Sequence, residues 1–226
     1  VLSRKGTVWT GTDSYSNETL NWPCPQGKVE KFLDLASQKH QWTLKAEKVS
    51  SWKNLGVDKR DCIEVDFVSS DPRTLAVVFL GKNSLDGDDV IFRTEENSRV
   101  WQCSFPFSPS AEPEAWCESA IAPGALVEGS EADGSGIFTG LTRGRLVYLT
   151  PGNHIVPDYK IRKNFGNGAS AVYSIYRKED SYIVIPKFTA PAHFDGETKA
   201  AIEECDYRYG ISDLTLERML SGTKGE

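Results

Sequence analysis

The sequence predicts a mainly β fold: an antiparallel β-barrel or β-sandwich with a short N-terminal helix and one or two short C-terminal helices. Three observations carry this reading. Between Trp42 and Phe107, runs of strand length alternate or sustain apolar residues and are separated by Gly- and Asn-containing turns. Two more runs, "SAVYSIYR" and "SYIVIPKF", flank the polar "KED" and read as a hairpin. Helical periodicity, by contrast, is confined to short stretches toward the two ends.

Residues 1–27 predict an irregular N-terminal arm, because Ser, Thr, Asn and Gly dominate, no period is sustained, and Pro23 and Pro25 close the segment. The period then changes. In "KVEKFLDLASQ", Val29, Phe32, Leu33 and Ala36 recur at helical spacing, and Lys28, Glu30, Lys31 and Asp34 take the other face. "CIEVDFVS" alternates Ile63, Val65 and Phe67 against Glu64 and Asp66, as a half-buried strand does. "TLAVVFLG" is continuous and β-branched, which suits a central strand, and "DVIFRT" and "RVWQCSFPF" complete an antiparallel meander.

Residues 108–136, rich in Pro, Ala, Gly, Ser and acids, predict a long loop. In "RGRLVYLTPGNHIVPDYKIRKN" the Pro151–Gly152 turn between two β-like runs predicts a hairpin. In the tail, Asp195 is placed to cap "GETKAAIEEC" and Ser212 to cap "DLTLERML", whose Leu214, Leu216, Met219 and Leu220 form an apolar cluster that Gly222 ends. The organisation expected is an arm over 1–27, a β-rich domain over 28–194 and a helical tail over 195–226.

At 226 residues, 39% hydrophobic and 26% charged, the chain can bury a core and is too broken by charge for membrane spans. The net charge of -6 argues against a nucleic-acid footprint, leaving Arg143, Arg145, Lys160, Arg162 and Lys163 as solvated positions. A first residue of Val rather than Met is expected for a processed chain, and the formal sequon at Asn17 agrees with a secretory or organellar compartment. The cysteines, Cys24, Cys62, Cys103, Cys117 and Cys205, include no C-x-x-C; two bridges plus one thiol, or five thiols, both remain open.

"LVYLTPGNHIVP" resembles the strand, turn and histidine of cupin barrels, a resemblance that implies a metal held by further histidines. Asp158 and Lys160 stand where the next ligands belong, and the chain has only His40, His154 and His193, so His154 reads as a turn residue and no metal or cofactor is expected. Glu64 and Asp66 on alternate strand positions are similar to the carboxylates of laminarinase-like glycosidases, although the third carboxylate is missing. Arg93 in "FRTEE" resembles the arginine strand of jelly-roll polysaccharide lyases. The acidic "SLDGDDV" and "EGSEADGSG" lack spaced calcium ligands and read as turns, and no phosphate-binding glycine motif is present.

The six tryptophans divide by context. Trp42 and Trp101 lie in strand-like runs and read as core, whereas Trp9, Trp22, Trp52 and Trp116, with Tyr159, read as exposed recognition aromatics. The expected function is non-catalytic binding or assembly, engaging a protein partner or complex subunit, or a small ligand, through loops and these aromatics. The alternative is a carbohydrate-active enzyme acting through Glu64, Asp66 and Arg93.

Overall fold

The structure, a computed structural model, describes residues 1–15, 18–71, 73–83, 88–118, 123, 126, 144–147, 156–165 and 167–221. In chain order the first elements are β1 (Leu2–Lys5), β2 (Val8–Tyr15), β3 (Glu18–Pro23) and α1 (Gln26–Ser37). They are followed by β4 (Thr43–Ala46), the single-turn α2 (Trp52–Leu55), β5 (Ile63–Val68), β6 (Thr74–Asn83), β7 (Asp89–Thr94) and β8 (Val100–Ser104). The remainder comprises β9 (Gly144–Leu146), β10 (Tyr159–Asn164), β11 (Ser170–Lys178), β12 (Ser181–Thr189), α3 (Gly196–Glu203), β13 (Tyr209–Ile211) and α4 (Asp213–Ser221). The fold is mainly β, with three antiparallel sheets and four short helices among the described residues; this is consistent with the sandwich alternative, and none of the described sheets closes into a barrel.

The chain forms two compact units. Unit 1 takes Val1–Val29 with Glu112–Glu226, and unit 2 is Glu30–Ala111. The division falls inside α1.

In unit 1 the expected irregular arm is instead the three-stranded sheet β1-β2-β3. Its residues resemble a loop in composition because the strands satisfy polar side chains across the pairing. Thr12 Oγ1 donates to Asn21 Oδ1 at 2.7 Å, and the hydroxyls of Ser14 and Thr19 lie 3.0 Å apart. Gly11 marks a close approach rather than a break: a Cβ there would fall 2.3 Å from the buried Trp22 indole.

The second sheet has the order β10-β11-β12-β13-β9. The predicted hairpin of β11 and β12 is present, with Lys178 paired to Ser181 and the turn residue Glu179 at φ 51°, the backbone a two-residue hairpin needs. The turn at Pro151–Gly152 predicted to close a second hairpin lies outside the described residues, and the described strands on either side of it do not pair with each other. Its flanking strands occupy opposite edges of the sheet, because β9 pairs with β13, where Leu146 faces Tyr209, while β10 pairs with β11. A strand as short as β13 carries no period that a sequence pattern can detect. It also interrupts the tail expected to be helical.

Both predicted caps form. Asp195 accepts from Thr198 N at 2.9 Å and from Thr198 Oγ1 at 2.6 Å, and Ser212 Oγ accepts from Thr215 N at 3.4 Å. α3 packs on β12, β1 and β2, and α4 on β12. Leu216 and Met219 are buried, but Leu214 is 49% exposed and does not join them.

Unit 2 is built on the sheet β4-β8-β7-β6-β5. The meander expected over Trp42 to Phe107 is realised by β5 to β8, with β4 added at the edge of β8. β6 is interior, as expected, although residues 74–76 of its first half are exposed. No helix among the described residues is long and apolar enough to cross a membrane.

Candidate functional site

The register of unit 2 sorts its side chains into two unlike faces. Ile63, Leu80, Phe92, Trp101 and Leu44 are successive partners across β5, β6, β7, β8 and β4, so one unbroken apolar row crosses the whole sheet. Val65, Val78 and Thr94 form a second row on the same face.

α1 lies over this inner face through Phe32. Its ring stacks on Phe67 at 6.2 Å between centroids, meets Phe105 edge-on at 6.0 Å and is tilted against Phe107 at 5.3 Å. At the other end Trp42 packs its edge against Phe92 at 5.2 Å and is tilted against Trp101 at 5.9 Å. Between the two aromatic groups, over Val65, Val78 and Leu80, is a cavity of about 190 Å³. No side chain of Asp, Glu, Lys or Arg lines it; the polar groups in its wall are His40, Thr94 and the Cys103 thiol.

His40 Nε2 lies 2.6 Å from the Leu35 carbonyl oxygen, which ties the chain leaving α1 back to the helix. Burial pushes the Cys103 thiol up, with the nearby Asp89 carboxylate adding to it, so this sulfur behaves as part of an apolar wall. Trp42 is 53% exposed although it belongs to this wall. It therefore stands at the opening, contrary to the expectation that it is core. A signal for this exists in the sequence: Lys45 and Lys48 follow it, and lysines are common on edge strands such as β4.

The outer face carries the residues of the enzyme alternative. Glu64, Phe79 and Arg93 are partners in one row, and Glu64 and Asp66 are exposed. Arg93 is buried, with its guanidinium between Phe79 and Trp52, and its Nε donates to Val57 O at 2.8 Å. Burial draws it below the ordinary arginine range against the pull of the nearby Cys62, Asp58, Glu64 and Glu95. Gly81 allows the covering segment this close, since a Cβ there would meet Leu55 O at 2.6 Å. The three residues share a face, with Phe79 standing between Glu64 and Arg93 in the row.

The other singled-out aromatics are mostly packing groups. Trp22 is 2% exposed and donates from Nε1 to Trp116 O at 3.2 Å; Trp116 is itself buried, with Lys28 over its ring. Trp52 Nε1 donates to Ser98 O at 2.9 Å. Trp9 is half-buried beside Cys24 and Cys205 in unit 1. Tyr159 is 39% exposed, its ring edge toward Tyr182.

Residues 112–118 of the predicted long loop belong to unit 1, where Trp116 and Cys117 are buried, while most of residues 119–136, the Asn17 sequon, Pro151, Gly152, His154 and Gly222 lie outside the described residues. Among the described residues all five cysteines are free thiols, and no three His, Cys, Asp or Glu side chains are grouped to hold a metal ion. The chain matches no protein-family model, no curated protein and no solved structure.

Proposed function

We propose that unit 2 is a non-catalytic binding module whose ligand is a small apolar molecule, taken up between α1 and the inner face of the sheet. The observation that carries this is an uncharged, aromatic-ended cavity of about 190 Å³ with a half-exposed tryptophan at its opening. A dry cavity of about 150 Å³ is enough to bind benzene, so this one admits a fused ring system or a short chain. Burial of apolar surface at about 25 cal/mol per Å² supplies the affinity, and the few polar groups supply orientation. The carbohydrate-active alternative has less to support it, because its arginine is enclosed by Trp52 and Phe79 and its carboxylates lie on an open face.

The test is a titration of the purified chain with N-phenylnaphthylamine, a neutral probe that brightens in apolar surroundings. Saturable binding at one equivalent is expected, together with a change in tryptophan emission that Trp42→Phe removes. Val78→Trp, which fills the cavity from its floor, should abolish the binding while thermal stability is kept. Absence of saturable binding to a folded chain refutes the reading.

A further inference from the structure

We infer that the ligand of the unit 2 cavity is a neutral apolar molecule bearing a hydroxyl, which donates a hydrogen bond to Nδ1 of His40. This deepens the reading of the cavity as a ligand site and rests on it. The Leu35 carbonyl can only accept. At 2.6 Å from that oxygen, His40 Nε2 carries the hydrogen. In the neutral ring the proton is thereby assigned, and Nδ1 is left as an acceptor, with no hydrogen-bond partner among the described residues.

His40 belongs to the cavity wall, and its ring is held at 6.0 Å from Phe105, so the acceptor is carried by a positioned ring. On this inference Nδ1 is presented to the cavity, and a wall whose polar groups are His40, Thr94 and the Cys103 thiol selects by what it leaves unpaired. A hydroxyl supplies the missing donor. A plain hydrocarbon leaves Nδ1 without a partner once water is displaced, and a carboxylate sets a charged acceptor against it and loses its hydration. Thr94 is the hydroxyl-bearing residue of the wall; a hydroxyl can donate or accept and does not discriminate in the same way.

The experiment measures binding of naphthol, naphthalene and naphthoate to the full chain at about pH 8, where free imidazole and free naphthol are uncharged. Naphthol is expected to bind about five- to tenfold more tightly than naphthalene, the effect of one net hydrogen bond, and naphthoate most weakly. His40→Phe should erase the naphthol preference, read as the ratio of naphthol to naphthalene affinity, whereas Thr94→Val, which alters the same wall, should shift both affinities together. Equal binding of naphthol and naphthalene overturns the inference and leaves the cavity reading intact. So does tightest binding of naphthoate, or loss of the preference in Thr94→Val rather than His40→Phe. If none of the three binds, the inference and the cavity reading fall together. The comparison among ligands uses the unaltered chain, so it decides even if His40→Phe does not fold.

Discussion

The guanidinium carbon of Arg93 lies 3.6 Å from the centre of the Phe79 ring, and Phe79 is the residue that separates Arg93 from Glu64 in their cross-strand row. Two strand spacings, about 9.6 Å of backbone, therefore stand between the carboxylate and the cation. The arginine serves the packing of the outer face, closed from the other side by Trp52 at 3.9 Å. Arg93→Ala should lower the stability of unit 2 by about 2–4 kcal/mol, because a desolvated cation–π contact and a charged hydrogen bond are lost together. A double-mutant cycle with Trp52→Ala should give a coupling of about 1–2 kcal/mol. Glu64→Gln and Asp66→Asn, on exposed positions, should change stability by under about 0.5 kcal/mol. Urea unfolding checks all four.

The thiols should separate by reactivity. Cys62 is half-buried, whereas Cys24, Cys117 and Cys205 are enclosed in unit 1, so iodoacetamide should label Cys62 first in the native chain. Peptide mapping at timed intervals reads the order. Cys103 should react with an apolar maleimide faster than with iodoacetamide, and bound naphthalene should protect it.

Alkaline pH should destabilise the fold through its buried thiols and phenols. Burial pushes the Cys24 and Cys205 thiols from 9.0 up to about 12, and also raises Cys117, Tyr173, Tyr207 and Tyr209. In each case the folded state keeps a proton that the unfolded chain releases, so stability is intact below the unfolded values. It then falls by about 1.4 kcal/mol per pH unit for each titrating group. Urea midpoints should hold up to about pH 9 and drop steeply between about pH 9 and 12.

The C-terminal helix should stabilise the isolated chain. Met219 is fully buried and Leu216 nearly so, on a helix that packs against β12. Met219→Ala should cost about 2–5 kcal/mol, and removal of the residues after Gly210 should lower the melting temperature of the monomer. Leu214→Ala, at a position 49% exposed, should change little by comparison. A truncated chain that melts unchanged would show that α4 contributes nothing in cis.

The legible parts of the fold are those where one face is wet and the other dry. Ile63, Val65 and Phe67 alternate with Glu64 and Asp66 because β5 is covered on its inner side only, and Val29 and Phe32 recur on the side of α1 that is buried. The first three strands were obscured because their polar residues pair across the sheet, and because Gly11 makes room for Trp22 rather than a turn. The site was harder to read than the scaffold. Val65, Val78 and Phe92 show only that they avoid water; that α1 leaves space above them is a property of the tertiary spacing. Trp42 has the same composition-level signature as Trp101, and only the position of β4 at the sheet edge separates the two.

The backbone bridge between Asn21 and Asp206, two hydrogen bonds of 2.9 Å, closes unit 1 across almost the whole chain. On a ribosome adding about 5–20 residues per second, Asn21 waits roughly 10–40 seconds for its partner. Unit 2 is contiguous and has every one of its strands within reach long before that. The segment around Asn21 thus emerges before unit 2 and is closed by Asp206 only after it, and Leu20, Trp22 and Cys24 spend the interval as an uncovered apolar segment on the nascent chain. Misassembly during synthesis should begin at this segment, and a trigger-type chaperone that binds short apolar stretches should raise the yield of unit 1 without altering that of unit 2.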